Sequence, residues 1–360
     1  MNQLEEARSQ INRLDAELAR LFEERMAAVE QVIAYKAEHN LPIFDAERER
    51  QVLEKNLGLL QNEQLQPYFR QFLQVFMDIS KDYQRAILQG NTVAFAGAEG
   101  AFAFQAAKEL FPTYRYHSCA DFESVFQEVL AGRAAFGVIP FENSYTGEVG
   151  EVFDLLFKHN CYIQAICDLP VRQNLLALPG AKLAGVQKVY SHPQALSQCA
   201  AFLQEYALQP VAYANTALAA QFVAESQNPA LAAIASAESA ELYGLQVLAA
   251  NINSSSQNTT RFIVIGQSLN QAGSRFNLLF TVNHNAGQLA RVMSLIGDMG
   301  FNMESIKSRP LKSLPWQYYF YVEIEGCLAD EAAQNLLQKL KSSCHSLKIL
   351  GSYDLKQLTK

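Results

Sequence analysis

Two cations interrupt or follow a long apolar stripe near the N-terminus. Apolar residues recur at steps of three and four from residue 4 to residue 32, which predicts one long amphipathic helix. Arg25 breaks this stripe, and Lys36 lies eleven residues further on, about 20° round a helix and about 16 Å along it. An arginine stem that covers the core would explain Arg25 alone. Two cations on one packed face instead predict an anionic ligand.

Further polar groups fall at helical spacing in the next 60 residues. They are Asp45, Arg48 and Glu49 at i, i+3 and i+4, and Ser80 and Gln84 at i and i+4. Each set presents one polar side of a helix, which solvated faces also do. Arg8 would lie about 25 Å along the helix and about 100° round it from Arg25. Arg8 and Arg25 can therefore bind the same small molecule only if they come from the two chains of an antiparallel dimer.

Polar turns follow or precede strand-like runs in the middle of the chain. They are I-P-F-E-N-S at 139–144, Y-S-H-P-Q at 190–194 and N-T-T-R-F at 258–262. Polar loops at strand ends are where open α/β sheets bind ligands, although turn chemistry alone also explains Glu-Asn-Ser. Ser191 can cap the following helix. A hydrolase pairing of Ser191 with His192 is discounted because the chain has no G-x-S-x-G elbow, and the lone G-x-x-G at 97–100 is weak evidence for a nucleotide.

The elements that position these groups fall into three regions. Residues 1–90 hold 26 of the 65 charged residues and read as three helices, the later two near 46–60 and 64–88. Apolar runs then alternate with helical patterns to about residue 266, which predicts an α/β region with largely parallel sheet. A polar stretch at 267–274 precedes a βαββαβ pattern of ferredoxin-like type. We therefore expect domains at 1–90, 91–268 and 274–360, with the fold class α, then α/β, then α+β.

Composition excludes several classes of partner. The net charge of −7 argues against nucleic acid, and no uncharged apolar run is long enough to span a membrane. The six cysteines are scattered without C-x-x-C spacing, so we expect reduced thiols and no structural metal. The N-terminus lacks a secretory signal pattern, which predicts a cytoplasmic protein.

Residues 1–90 resemble the all-helical chorismate mutase of the AroQ family. The matching motifs are R-x-x-I-x-x-L-D from Arg8, E-R from Glu24, Lys36, D-x-x-R-E from Asp45 and S-x-x-x-Q from Ser80. The resemblance implies that Arg8 from a partner chain, Arg25 and Arg48 bind the carboxylates of chorismate, and that Lys36 and Gln84 bond its ether oxygen. It also implies that Glu49 and the Asp45 backbone meet the ring hydroxyl and that Ser80 lines the pocket. No metal or cofactor is implied.

Residues 92–266 resemble prephenate dehydratase, on the three polar turns together with D-L-L at 154–156 and L-Y-G-L at 242–245. The resemblance implies two α/β lobes like those of periplasmic binding proteins, with prephenate bound between them. It makes Thr260 the proton donor to the leaving hydroxyl and Arg261 a ligand of a substrate carboxylate. Glu142, Asn143, Ser191 and Gln198 would line the cleft. The chain departs from the family pattern at Ala101, Ala103 and Gln173, where that family usually has Ser or Thr, Ser, and His.

The C-terminal region resembles the ACT regulatory domain. The carrying motifs are Gly287-Gln288-Leu289 and Ser308-Arg309-Pro310, with Gln288 and Lys307 replacing the family's alanine and glutamate. The resemblance implies a phenylalanine site at a dimer interface built from Gly287, Leu289, Ser308, Arg309 and Pro310. A purely structural dimerisation domain is the alternative.

Together the three resemblances imply a bifunctional chorismate mutase/prephenate dehydratase of phenylalanine biosynthesis. We expect a homodimer or higher homo-oligomer that takes chorismate and prephenate as substrates and L-phenylalanine as effector. Two alternatives remain at this point. One is an active mutase with a degenerate dehydratase domain, and the other is a non-catalytic sensor of aromatic metabolites.

Overall fold

The computed structural model describes residues 3–38, 46–89, 91–255, 257–312, 314 and 316–358. The chain divides into two compact units, Met1–Asn91 and Thr92–Lys360. None of the helices in the described ranges has both the length and the apolar character needed to span a bilayer.

The first unit consists of three helices, as predicted. They are α1 (Gln3–Glu38), α2 (Ala46–Leu57) and α3 (Gln66–Gln89). The second half of α1 packs on α3 and buries Met26, Ile33 and Met77. The first half keeps its apolar stripe in the open, with about half of the surface of Leu14 and Leu18 accessible. The long helix therefore extends beyond what the shorter helices cover, as its length predicted.

The second unit contains sixteen strands, nine α-helices and one short 3-10 helix among its described residues. The strands are β1 (Thr92–Ala96), β2 (Arg115–Cys119), β3 (Phe136–Asn143), β4 (Gly147–Glu148), β5 (Tyr162–Pro170), β6 (Asn174–Ala177), β7 (Lys188–Ser191), β8 (Gln209–Ala212), β9 (Leu231–Ala235), β10 (Gln246–Ala249), β11 (Thr259–Gly266), β12 (Arg275–Thr281), β13 (Met303–Pro310), β14 (Tyr318–Glu325), β15 (Ser346–Tyr353) and β16 (Leu355–Gln357). The helices are α4 (Phe102–Leu110), α5 (Phe122–Leu130), α6 (Gly150–Lys158), α7 (Pro193–Gln198), α8 (Ala200–Glu205), α9 (Thr216–Ser226), α10 (Ala237–Tyr243), α11 (Gln288–Asp298) and α12 (Glu331–Ser343).

The α/β region forms two mixed sheets rather than largely parallel ones. The first has the order β16-β5-β11-β3-β1-β2, with β4 on the edge of β3, and the second has the order β10-β6-β9-β7-β8. The prediction of mostly parallel pairing was wrong because β11 returns between β3 and β5 and runs antiparallel to both. After the polar turn at 190–194 the chain forms two short helices, α7 and α8, that meet at Cys199. Strand β2 consists mostly of polar residues, so the pattern of apolar runs does not predict it.

The last strands form a four-stranded sheet in the order β13-β14-β12-β15, covered by α11 and α12. This is the predicted βαββαβ element order. The other face of this sheet shares a core with the first α/β sheet, in which Tyr319, Tyr321 and Tyr353 pack with Phe141 and Phe153. Strand β16 then leaves β15 and pairs in parallel with β5. The C-terminal sheet is thus joined to the α/β region by packing and by a shared strand.

Candidate active sites

A cavity of about 320 Å³ lies among the three helices of the first unit. Its polar wall contains six of the predicted residues, namely Arg25, Lys36, Arg48, Glu49, Ser80 and Gln84. Apolar residues of α1, α2 and α3 complete it, among them Val32, Val52 and Met77. Arg8 does not line this cavity in the single chain, and Asp45 lies outside the described residues.

Arg25 is held in place from two sides. Its guanidinium donates a hydrogen bond to the hydroxyl of Ser80 and lies 4.4 Å from the centre of the Phe76 ring. Ser80 donates in turn to the carbonyl oxygen of Phe76, at 2.7 Å. Burial lowers the pKa of Arg25, so this partly dehydrated cation gains from an anionic ligand. Ser80 therefore orients the arginine.

Lys81 is a wall residue that the sequence analysis missed. Its ammonium group lies 2.8 Å from Glu49 and 2.8 Å from Asp78. Burial alone would lower the pKa of Lys81, but the hydrogen bonds that its ammonium donates to these carboxylates outweigh burial and raise that pKa. The available signal was the spacing of Asp78, Lys81 and Gln84 at steps of three. Gln84 is buried, and its Oε1 has no hydrogen-bond partner among the described residues.

A second cavity, of about 280 Å³, lies at the ends of β3 and β11 and the start of α7. Three predicted residues line it, namely Asn143, Gln198 and Thr260. The three positions that depart from the family pattern, Ala101, Ala103 and Gln173, also line it. The unusual residues are thus part of the wall of this cavity.

Asn143 and Thr260 face each other across neighbouring strands. The side-chain oxygen of Asn143 accepts hydrogen bonds from the backbone N–H groups of Tyr145 and Thr146, at 3.0 and 3.1 Å. These two bonds orient the amide so that its nitrogen donates to Thr260 Oγ1, at 2.9 Å. The Thr260 oxygen is an acceptor in this bond, which leaves its own proton available to a ligand. The same bond would stabilise negative charge on Oγ1 after that proton leaves.

Buried amides extend this pair along the cavity wall. Asn143 also donates to Asn258 Oδ1 at 2.9 Å, and Asn258 donates to Gln198 Oε1 at 3.1 Å. Gln198 Oε1 receives a longer bond of 3.4 Å from Gln173. Gln173 Oε1 is buried without a partner among the described residues. It is a free acceptor in the wall, which a ligand can satisfy.

Three residues predicted for this cleft do not line the cavity. Successive residues of a strand point to opposite faces, so Glu142 and Arg261 lie on the face away from Asn143 and Thr260. Arg261 forms two hydrogen bonds with Asp168, at 2.8 and 3.1 Å, which raise the pKa of Arg261. Ser191 is buried and donates to the carbonyl oxygen of Ile234 at 2.6 Å. Ser191 also does not cap α7.

His192 caps that helix instead and lines the cavity, although the sequence analysis had used it only to weigh a hydrolase. Its Nδ1 accepts from the backbone N–H of Gln194, at 3.2 Å. Gln194 donates to the hydroxyl of Thr146 at 3.1 Å, which links α7 to the turn after β3. The Y-S-H-P-Q turn could have indicated both residues. Its His192 and Gln194 face the cavity, whereas its Ser191 does not.

The residues predicted to bind phenylalanine are not brought together within one chain. Leu289 lines a small cavity of about 120 Å³ with residues of the 282–285 loop and β14, and Gly287 precedes α11 with φ +79°. Arg309 instead binds Asp154 at 3.2 Å, and Pro310 lines a separate depression beside α6. Ser308 lies on the opposite, exposed face of β13. Of the five predicted residues, only Leu289 lines the small cavity. Ser308 and Arg309 point apart because successive residues of a strand face opposite sides.

Two family models match the chain. Residues 7–85 match "Chorismate mutase type II" and residues 93–270 match "Prephenate dehydratase". Among curated relatives, the bifunctional chorismate mutase/prephenate dehydratase of Aquifex aeolicus is 33% identical over 98% of each chain.

Two solved structures resemble the second unit. A prephenate dehydratase from Arthrobacter aurescens in complex with L-Phe is 26% identical with a TM-score of 0.68, over 73% of this chain and 89% of that one. The quorum-quenching acylase GqqA has the same TM-score with 30% identity, over 73% of this chain and 97% of that one. With both catalytic domains present, the chain converts chorismate to prephenate and prephenate to phenylpyruvate. It belongs to the bifunctional chorismate mutase/prephenate dehydratase family.

Proposed function

We propose that the helical cavity rearranges chorismate and that the Asn143–Thr260 cavity dehydrates prephenate, in the biosynthesis of L-phenylalanine. The observation that carries the second assignment is the hydrogen bond from Asn143 to Thr260 Oγ1, at 2.9 Å. It leaves the threonine proton free to move into the cavity and stabilises the oxygen that loses it.

In the dehydratase cavity, Thr260 protonates the ring hydroxyl of prephenate as the C–O bond breaks. The electron pair of the breaking bond to the ring carboxylate moves into the ring, and carbon dioxide and water leave as the ring becomes aromatic. Solvent then returns a proton to Thr260. Asn143 holds Thr260, and Gln198 with Gln173 contacts the substrate. A threonine without assistance is a weak acid, so proton donation by Thr260 requires the Asn143 amide that orients it.

In the helical cavity, no proton transfer or nucleophile is needed, because the rearrangement is intramolecular. The cavity folds the enolpyruvyl arm over the ring and stabilises charge as the ether bond breaks. Arg25 and Arg48 bind the carboxylates, with Arg8 supplied by a second copy of the chain. Lys36 and Gln84 bond the ether oxygen, and Glu49 with the Asp45 backbone meets the ring hydroxyl.

The test is a time course in which NMR follows chorismate, prephenate and phenylpyruvate together. Arg25→Ala should abolish prephenate formation from chorismate but leave the conversion of added prephenate intact. Thr260→Val should make prephenate accumulate, with only its slow acid-catalysed background decay. An unchanged rate in either variant would remove that residue from its assigned site. Binding of prephenate without turnover by the unaltered protein would favour the sensor.

We further propose that residues 274–360 are an ACT domain with L-phenylalanine as its effector. The structure of the Arthrobacter aurescens relative contains L-Phe. Leu289 borders the small cavity beside the 282–285 loop, and Ser308 faces outward, so a second copy of the chain would be needed to complete a site containing both. Gln288 and Lys307 should weaken the site relative to a domain with alanine and glutamate there. Calorimetric titration with L-phenylalanine measures this affinity.

We assign residues 91–268 to a dehydratase domain with two lobes, one for each α/β sheet. On this assignment the lobes resemble those of periplasmic binding proteins. Closure of the lobes would exclude water from the cavity between α7 and the ends of β3 and β11. We place the enzyme in the cytoplasm, where its six unpaired cysteines would stay reduced.

A further inference from the structure

A row of charges joins the C-terminal sheet to the strands that carry Asn143 and Thr260. Lys307 of β13 lies 2.6 Å from Glu142 of β3. Arg261 of β11 is paired with Asp168 of β5 and lies 3.9 Å from Glu323 of β14. Each of these two contacts of the C-terminal sheet therefore pairs a carboxylate with a cation of the other sheet, or a cation with its carboxylate.

This row lies directly beside the cavity residues in the sheet. Glu142 and Arg261 are opposite each other in the β3–β11 pairing, and the next opposed pair is Asn143 and Thr260. The side chains of the two pairs point to opposite faces. A shift of β3 at Glu142 therefore moves the backbone of Asn143 and changes its distance to Thr260.

The Lys307–Glu142 pair is partly shielded from water, with the Glu142 side chain 34% exposed. The Lys307 side chain is only 15% exposed, and its ammonium lies 5.7 Å from the centre of the Phe153 ring. Phe153 stacks on Phe141, the residue before Glu142, with centroids 4.2 Å apart. Salt screens such a pair less than a surface pair, and removing one partner leaves a partly buried charge.

We propose that Lys307 is a positioning residue for the dehydratase reaction. Through Glu142 it holds the end of β3 so that Asn143 keeps its hydrogen bond to Thr260. The inference rests on the proposed assignment of the Asn143–Thr260 cavity to the dehydratase step. It also gives the C-terminal sheet a direct physical connection to that cavity.

The test compares Lys307→Met with Lys312→Met in the full-length protein. Lys312 is a matched control because it lies just after β13, pairs with Asp154 of α6 at 3.1 Å and is 78% exposed. We expect Lys307→Met to lower dehydratase kcat about tenfold or more with KM little changed, since small displacements of a catalytic group are costly. Lys312→Met should leave kcat within about twofold, a loss typical of an exposed pair. The unfolding temperature of the second unit in the same sample serves as the measure of folded enzyme, because the mutase cavity lies in the other unit.

Rescue distinguishes positioning from a merely structural role. Lys307→Arg and the charge exchange Glu142→Lys with Lys307→Glu should restore most of kcat, whereas Lys307→Glu alone should be the poorest variant. If Lys307→Met fails to fold, Glu142→Gln removes the pair with a smaller change and should show the same loss of kcat. A lowered unfolding temperature with unchanged kcat, or no rescue by the exchange, would overturn the proposal. A Thr260→Val enzyme that keeps full activity would instead overturn the cavity assignment itself.

Discussion

In each of the two cavities, a side-chain hydroxyl is oriented by hydrogen bonds that connect it to backbone groups. Ser80 receives a hydrogen bond from Arg25 and donates to the carbonyl oxygen of Phe76. Thr260 receives one from Asn143, whose own oxygen is held by two backbone N–H groups. The first hydroxyl has used its proton on the backbone and acts as a support. The second keeps its proton for the reaction, so two similar side chains take different roles.

Asn143→Asp tests the direction of that bond. A carboxylate has the same shape and still accepts from the N–H groups of Tyr145 and Thr146, but it cannot donate to Thr260. The threonine would then donate its proton to the carboxylate instead of the substrate. We expect dehydratase kcat to fall about a hundredfold or more, as for loss of one charge-stabilising donor. Steady-state kinetics on prephenate measures the loss, and an unchanged unfolding temperature of the second unit verifies folding. A variant with normal kcat would contradict the role given to this bond.

At the scale of elements, β13 and β14 dock the C-terminal sheet on α6 through Asp154. This carboxylate accepts from the Tyr319 hydroxyl at 2.6 Å and lies within 3.2 Å of Arg309 and Lys312. Gly150 allows the close approach, because a Cβ there would overlap the Arg309 guanidinium. Burial alone would raise the pKa of Asp154, but the hydrogen bonds from Tyr319, Lys312 and Arg309 lower it. The ionised carboxylate is the form that stabilises the docked sheet.

Asp154→Asn should lower the free energy of unfolding of the second unit by about 2 kcal/mol at neutral pH. Because the folded-state pKa of Asp154 is lowered, its contribution is complete above the ordinary value of 3.8 and is lost as pH falls below it. The difference between the two proteins should therefore persist at pH 5 and shrink toward pH 3. Urea unfolding at these pH values measures it. Glu148→Gln removes a weaker, more exposed partner of Arg309 and should have little effect; a pH-independent difference would contradict the assignment to Asp154 ionisation.

At the scale of the whole molecule, the first half of α1 presents an apolar face that is exposed among the described residues. Its exposed side chains are Leu4, Ile11, Leu14, Leu18 and Leu21. A second copy of α1 would bury this face, since large exposed apolar patches mark interaction surfaces. Arg8 lies on the same half of the helix and does not line the cavity of its own chain. Dimerisation would thus both cover the stripe and complete the mutase site.

Leu14→Glu combined with Leu18→Glu should prevent this association. Burying carboxylates between two copies of α1 is unfavourable, so the variant should not associate. The mutase kcat/KM should then fall about a hundredfold or more, because a second copy no longer supplies Arg8. Dehydratase activity should stay within about threefold. Analytical ultracentrifugation and both assays on one sample measure the outcome. Glu17→Ala on the same helix is the control, and a monomer with full mutase activity would refute the shared site.

Spacing alone placed the polar residues of each helix on a common face, because a helix repeats every 3.6 residues and brings neighbours at i+3 and i+4 together. The resemblance implied that the faces of different helices form one site. Arg25, Ser80 and Gln84 line one cavity as predicted. The family motifs likewise supplied Asn143 and Thr260. Glu142 and Arg261, which the resemblance also implied, do not line that cavity, because a strand sends consecutive side chains to opposite faces.

The sequence by itself determined the local structure: the three helices, the βαββαβ order and the polar turns at strand ends. These follow from periodicity, capping and turn chemistry among residues close in the chain. Only the tertiary structure decided that β11 runs between β3 and β5, that β16 rejoins the α/β sheet, and that Lys307 meets Glu142 across a separation of 165 residues. The physical reason is that such pairings depend on how sheets pack and on which charges are left to be neutralised between them. No pattern among residues close in the chain predicts these long-range pairings.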